Sequence, residues 1–279
     1  MNNAPEDMVL LDGAVEPDRR SMSVAGGTLV AYTRRSPFKD TENEDTVAVI
    51  PWGPDAAVLV VADGAGGLPA GKRASQSAVE ALAASLMQSL ENTRLLRSAV
   101  IDGIEAANAA VRDLSNGSAT TLTVVTIEGR LARTFHVGDS EALVVGQRGL
   151  IKLQTTAHSP TGFAVEAGFL DERDALHHED RHLVSNFLGT SDMRIDVGAG
   201  VELRPRDTVL VASDGLTDNV HLDETVGFVR KGQLTESARS VVSLASQRMA
   251  AEKSGKPCKP DDLSLILFRK PGSTRIIER

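Results

Sequence analysis

The spacing of apolar positions changes along the chain, and each change marks a new element. Residues 22–33 alternate around Gly26-Gly27, which predicts two strands joined by a tight turn. Apolar runs at 46–50 and 56–62 predict the next two strands. Helical spacing follows: Val79, Leu82, Leu86 and Leu90 form one stripe, and Val100, Ile104, Ala107, Val111 and Leu114 form another. Strand patterns return at 120–127, 131–137 and 141–145, and the short connections at Glu128-Gly129 and Gly138 predict a meander. From 153 to 188 the period fades and polar residues dominate, so this stretch is expected to form an irregular, lid-like insertion. A strand then runs into Asp214, a helix is striped by Leu234, Ala238, Val241, Ala245 and Met249, and a last strand spans 263–268. Strands at both ends, helix pairs between them and no regular strand–helix alternation predict an α+β fold. Its antiparallel sheets would carry helices on their outer faces.

Composition narrows the class of partner. The formal net charge is −8 and no basic stripe appears, which argues against nucleic acid. Cys258 is the only cysteine, so neither an intramolecular disulfide nor a cysteine-based metal site can form. No apolar run is long enough to span a bilayer, and Glu6 and Asp7 near the start are unlike a secretory signal. The expectation is a cytoplasmic protein without membrane insertion.

Three apolar runs end at a carboxylate: VLVVADGAGG at Asp63-Gly64, FHVGDS at Asp139, and VLVASDGLTD at Asp214-Gly215. A strand end holds its backbone stiffly while the closing Asp reaches into a shared space. Asn43-Glu44-Asp45 and Asp261-Asp262 add acids at two more strand ends. Carboxylates gathered in this way repel one another unless cations lie between them, and Mg²⁺ or Mn²⁺ prefers such oxygen ligands. A lone Asp-Gly is ordinarily a turn; five acidic sites at five predicted strand ends are not. His136, inside an apolar strand pattern, reads as a core histidine. The run His177-His178-Glu179-Asp180-Arg181-His182 lacks clean ligand spacing and reads as a solvated lid segment. Gly66 to Lys72 satisfies the GxxxxGK spacing of a nucleotide-binding loop. However, Arg73 stands where the hydroxyl residue is needed, and Pro69 removes a donor.

In order along the chain, NED (43–45), DGAGG (63–67), GSATTLT (117–123), HVGDS (136–140), SDGLTD (213–218) and PDDLSLILF (260–268) resemble the motifs of the protein phosphatase 2C family, in its bacterial form. The resemblance spans residues 22–269 as a single domain, with 1–21 as an N-terminal extension and 270–279 as a tail. It implies an α-β-β-α four-layer sandwich with a binuclear Mg²⁺ or Mn²⁺ site between the sheets. It also implies hydrolysis of phosphoserine and phosphothreonine in protein substrates, in opposition to a cognate Ser/Thr kinase. In such a site Asp63 would bridge both ions, the Gly64 carbonyl would bind one, and Asp214 and Asp261 the other. Glu44 and Asp45 would bind or orient metal-bound water, and Asp139, Asp214 and Asp218 would form a weaker third site. Two cations held close together clamp a phosphate and activate a water for in-line attack, so Asp45, Asp63 and Asp214 carry the catalytic burden.

Some positions depart from the pattern. Asp40 stands where many relatives place a phosphate-gripping Arg, which leaves neighbouring Lys39 as a candidate phosphate ligand. Ala65 follows Asp63-Gly64 where some relatives carry a His, so a metal-bound water or a lid histidine such as His158 is the candidate proton donor, and Glu141 replaces an Arg after GDS. The same departures motivate an alternative: a catalytically weak, metal-binding homologue that serves as a phosphoprotein-binding regulatory module.

Overall fold

The computed structural model describes residues 8–13, 16–65, 70–115, 117–251 and 256–272. Its central strands are apolar on both faces, because each sheet is covered twice. The first sheet contains β1 (Val9–Leu11), β4 (Asp45–Pro51), β5 (Ala56–Asp63), β6 (Leu122–Glu128) and β7 (Leu131–Val137). Its order is β1-β4-β5-β6-β7, and β7 also pairs with the short β10 (Asp196–Val197) and β11 (Val201–Glu202). The second sheet runs β2 (Asp18–Val24), β3 (Gly27–Arg34), β13 (Leu263–Arg269), β12 (Thr208–Ala212), β8 (Glu141–Val145) and β9 (Ile151–Gln154). Every pairing is antiparallel.

Period-two alternation sorts side chains between layers. In β5, Val58, Val60 and Ala62 face helices α1 (Gly71–Glu91) and α2 (Leu96–Asp113), while Ala57, Leu59 and Val61 face the other sheet. In β13, Ile266 and Phe268 enter the inter-sheet core. Leu265 and Leu267 meet the layer of α6 (Leu222–Val229) and α7 (Leu234–Ala250). Three apolar cores therefore alternate with four layers, as the α-β-β-α reading expects. A fully buried aliphatic side chain contributes about 1.5–3 kcal/mol on leaving water, so packing of these stripes holds the helices in place.

Several local expectations are revised. The first hairpin turns at Ala25-Gly26, both at positive φ, with Val24 paired to Gly27. Gly27 instead opens β3, where a Cβ would lie 2.5 Å from the Phe268 ring. Strands also begin ahead of residue 22: β1 pairs with β4, and Leu11 is buried between the sheets. The three-strand meander does not form. β6 and β7 make a hairpin in the first sheet, but the chain crosses to the second sheet before β8. Gly138, at φ 109°, makes that crossing; a Cβ there would sit 2.5 Å from Thr121. The lid region contains β9 and the short helices α3 (Pro160–Glu166) and α4 (Glu172–Ala175), followed by a 3₁₀ turn at Glu179–His182. Ser159 and Asp171 cap the two helices by accepting backbone N–H bonds from Gly162 and Arg173.

Candidate metal centre

The acids of both sheets meet because their strands end on the same side of the sandwich. Asp45 opens β4 and Asp63 closes β5, and the register places them directly opposite each other. Asp45 is fully buried; Oδ2 accepts a 2.8 Å bond from the Ser213 hydroxyl, and Oδ1 is buried without a partner. The same Ser213 oxygen accepts from the Ser264 amide at 3.0 Å, so one hydroxyl ties an acid of the first sheet to two strands of the second. The backbone of Asp63 is held by Thr120 and Thr121, whose hydroxyls bond its carbonyl (2.8 Å) and amide (3.1 Å). Gly64 donates to the Glu44 carbonyl at 3.2 Å, and a Cβ on it would lie 2.3 Å from the Gly71 carbonyl oxygen.

Asp139 sits on the crossover between sheets, braced through Ser140, whose hydroxyl shares a 2.9 Å bond with Thr121 and whose carbonyl accepts from Thr123. Asp214 begins the short helix α5 (Asp214–Thr217), and Asp218 follows one turn later on the same face. Gly215 is required there by a close approach, since a Cβ would fall 1.8 Å from the Asp262 carbonyl oxygen. That neighbour is the protein's own backbone, so the glycine lets α5 pack against the segment that leads into β13. Asp261 and Asp262 immediately precede β13.

Crowding shows in the proton affinities. Burial, and next the charge of Asp262, pushes Asp45 up to about 8. Burial, then Asp214, takes Asp261 to about 7. Asp218 rises to about 6 through burial and Asp214, with Lys259 opposing. Asp63 and Asp139 lie well above the usual carboxylate range, first by burial and then through Asp45 and Asp214 respectively. Asp45 Oδ1 and Asp214 Oδ1 are both buried and unpartnered. An all-oxygen donor set with orphaned buried oxygens and mutual repulsion fits a hard divalent cation.

Two lysines enter this cluster. Lys259 Nζ pairs with Asp214, with Asp218 at 2.9 Å and with Asp261 at 3.4 Å. Lys39 Nζ pairs with Glu44 and with Asp262 at 2.7 Å.

The family model described as protein phosphatase 2C matches residues 38–253. The chain belongs to the protein phosphatase 2C family. It is thereby a hydrolase of the phosphoprotein phosphatase type. Protein phosphatase PhpP of Streptococcus pneumoniae is 29% identical over 216 residues, covering 75% of this chain and 87% of PhpP. The crystal structure of the Mycobacterium tuberculosis serine/threonine phosphatase PstP/Ppp superposes with a TM-score of 0.69 at 25% identity, covering 92% of this chain and 99% of that one. The fold is also shared, at TM-score 0.66 and 23% identity over 94% and 98% of the two chains, with the PstP catalytic domain solved in complex with two manganese ions.

Within this 2C-family scaffold the remaining candidates separate. Glu44, Asp45, Asp63, Gly64, Asp139, Asp214, Asp218 and Asp261 lie on the segments that converge at the cleft. Lys39 is bound to two acids, so its charge serves them instead of a free anion site, which counts against its expected role as a phosphate ligand. Asp40 is exposed. Gly66 to Pro69 fall outside the described residues, but Lys72 is described and donates to the carbonyls of Asp12 (3.0 Å) and Asp45 (3.2 Å). That is a structural use, unlike a nucleotide-binding lysine. His177, His178 and His182 are exposed, and the His178 ring accepts from the Asp180 amide as a cap.

His136 is buried, as expected for a core histidine, and stacks on His158 at 4.3 Å between ring centres. Together with Asp196 the two rings come close enough to suggest a second metal site, but tautomers argue otherwise. His158 Nδ1 accepts from the Gly138 amide at 3.1 Å and faces the Asn186 amide group at 2.9 Å. The neutral ring then carries its proton on Nε2, the atom a metal would need bare. Burial, with His136 adding to it, also takes His158 down to about 4. It is therefore neutral at pH 7 and ill suited to the proton-donor role considered for it.

Ser213 and Asp262 stand inside motifs that the sequence marks, and Asp262 among its strand-end acids, but neither has an assigned role there, and Lys259 lies just outside a motif. Each acts through partners distant in the chain. Beside Asp139, Asp214 and Asp218 a cavity of about 440 Å³ extends beneath α3 and α4, with Glu141 and Arg181 on its wall. Burial pushes Glu141 up to about 7.

Proposed function

We propose that this chain is a metal-dependent serine/threonine protein phosphatase that hydrolyses phosphoserine and phosphothreonine with a water activated at a binuclear Mg²⁺ or Mn²⁺ centre. The observation that carries this reading is the meeting of Asp45, Asp63, Asp139, Asp214, Asp218 and Asp261 where the two sheets end, with orphaned carboxylate oxygens among them. Asp63, Asp45, Glu44 and the Gly64 carbonyl would hold one ion and Asp63, Asp214 and Asp261 the other, while Asp139 and Asp218 with Asp214 would hold a weaker third. When bound, the ions supply positive charge that neutralises the phosphate and makes a water acidic enough to act as a nucleophile. The protein fixes the ligands: Ser213 orients Asp45, Thr120 and Thr121 fix Asp63, and the Gly138 crossover sets Asp139.

The cavity under the lid lies beside these acids and gives a phosphorylated segment room to enter. The substrates are proposed to be phosphoproteins of a cognate Ser/Thr kinase in the cytoplasm, a setting that a single cysteine suits. Among the described residues no helix is long and apolar enough to cross a membrane. The deciding experiment is release of phosphate from a phosphothreonine peptide with Mn²⁺ and with a chelator. Metal-dependent release supports the enzyme. Tight peptide binding with no release would favour the regulatory alternative that Asp40 and Ala65 motivate.

A further inference from the structure

Lys259 is placed by more than chance contact. Asn219, fully buried, clamps its backbone on both sides: Oδ1 accepts from the Lys259 amide at 2.8 Å and Nδ2 donates to the Lys259 carbonyl at 2.8 Å. Asn219 is itself anchored to the Gly215 carbonyl, one residue from Asp214. The preceding carbonyl, that of Cys258, accepts from Arg181 at 2.9 Å. The loop thus aims the lysine inward, and its ammonium meets Asp214, Asp218 and Asp261. Among the described residues these three acids have no other ion-pair partner. They are also ligands assigned to the second and third cation positions, so the ammonium lies between two proposed metal positions.

We propose that Lys259 is a resident cation of the cleft, standing in place of one divalent ion, so that this ion binds at least tenfold more weakly than it would in the same cleft without the ammonium. The inference rests on the metal-centre reading above. An ammonium offers three N–H donors to carboxylates, satisfies their charge without drawing on free metal, and is tethered, so a divalent ion must displace it. An ion held by Asp45 and Asp63 would meet acids that Lys259 does not touch and would keep its affinity. Metal loading is then stepwise: one tight ion first, and the next only at higher free metal.

The test is Mn²⁺ titration by calorimetry, with metal counted in the gel-filtered protein, for the wild-type chain and for Lys259→Gln and Lys259→Arg. Lys259→Gln is expected to gain one Mn²⁺ per chain at a free concentration where the wild type has not filled that site, or to bind it at least tenfold more tightly. Lys259→Arg, which keeps the charge, should titrate like the wild type. Identical isotherms for wild type and Lys259→Gln would overturn the inference while leaving the metal centre standing. Absence of Mn²⁺ binding in all three would overturn both. Lys259→Met serves the same comparison should the Gln variant lose its native circular dichroism.

Discussion

Removing one carboxylate oxygen from the cleft tests whether it is a shared ligand or only a buried polar group. Asp63→Asn and Asp214→Asn each keep shape and volume while removing a ligand and a charge, so we expect Mn²⁺-dependent hydrolysis to fall by at least a hundredfold with the circular dichroism unchanged. Activity within a few-fold of wild type in either variant would sink the metal-centre assignment. Lys39 gives a second decision at this scale. Its ammonium pairs with Glu44 and Asp262, and Asp262 also accepts from the amides of Ser36 and Glu44 at 2.7 Å. Lys39→Ala therefore leaves a buried carboxylate without its counter-charge, and stability should drop by about 2 kcal/mol, read from urea unfolding. If the lysine instead grips phosphate, stability would hold and the Michaelis constant for p-nitrophenyl phosphate would rise sharply. Asp40, exposed and one residue on, is the better place to add a grip. Asp40→Arg should lower that Michaelis constant by roughly tenfold, with less effect on turnover, since a contact made already in the bound ground state mostly changes binding.

Elements that bury a regular stripe were legible before the structure, and elements whose existence depends on distant partners were not. The stripes of α1, α2 and α7 repeat at helical spacing over 21, 18 and 17 residues, long enough for a period to show. α6 has only eight residues, two turns, and β10 and β11 have two each. Nothing periodic fits in that length; β10 and β11 exist because β7 offers them an edge. The β7–β8 connection looked like one more hairpin because Gly-Asp-Ser is ordinary turn chemistry. The pairing of β8 with β12 shows that the chain changes sheet there, and Thr121 leaves no room for a side chain on Gly138 at the crossing. The site divides in the same way. Its acids were legible because each closes or opens a strand, whereas Ser213 and Lys259 act on residues 168 and 45 positions away. The Gly215 approach gives this scale its own prediction. With a Cβ 1.8 Å from the Asp262 carbonyl oxygen, Gly215→Ala must push α5 away from the start of β13. That displaces Asp214 relative to Asp261. We expect a loss of roughly 3 kcal/mol or more in urea unfolding, together with loss of activity. A variant as stable and active as wild type would show that the two segments are free to separate.

For the molecule as a whole, the cleft sets stability against electrostatic repulsion. Asp45, Asp261 and Asp218 hold protons up to about 8, 7 and 6, against an ordinary value of 3.8 for all three. The folded state therefore binds more protons than the unfolded chain above about pH 4, and the slope of stability with pH is negative through this range. The contribution of these carboxyls is fully present below their ordinary value and is lost as pH rises through 6 to 8. His136 and His158 act in the opposite sense: both are held below 6.5 by burial, so their contribution fades as pH falls beneath that value. The most telling window is therefore pH 6.5 to 8.5, where the histidines are neutral in the folded state and their opposing contribution is the smaller one and vanishes toward the upper end. In a chelator, the melting temperature should drop across that window by roughly 5 °C or more, since 1 kcal/mol is worth about 2–4 °C in a chain of this size. Millimolar Mn²⁺ should flatten or reverse the fall, because metal replaces the protons that the carboxylates otherwise need and binds more strongly as they ionise. A metal-free melting temperature that is level or rising between pH 6.5 and 8.5 would mean that the acids are solvated and apart, and that the two sheets do not bring them into one cleft.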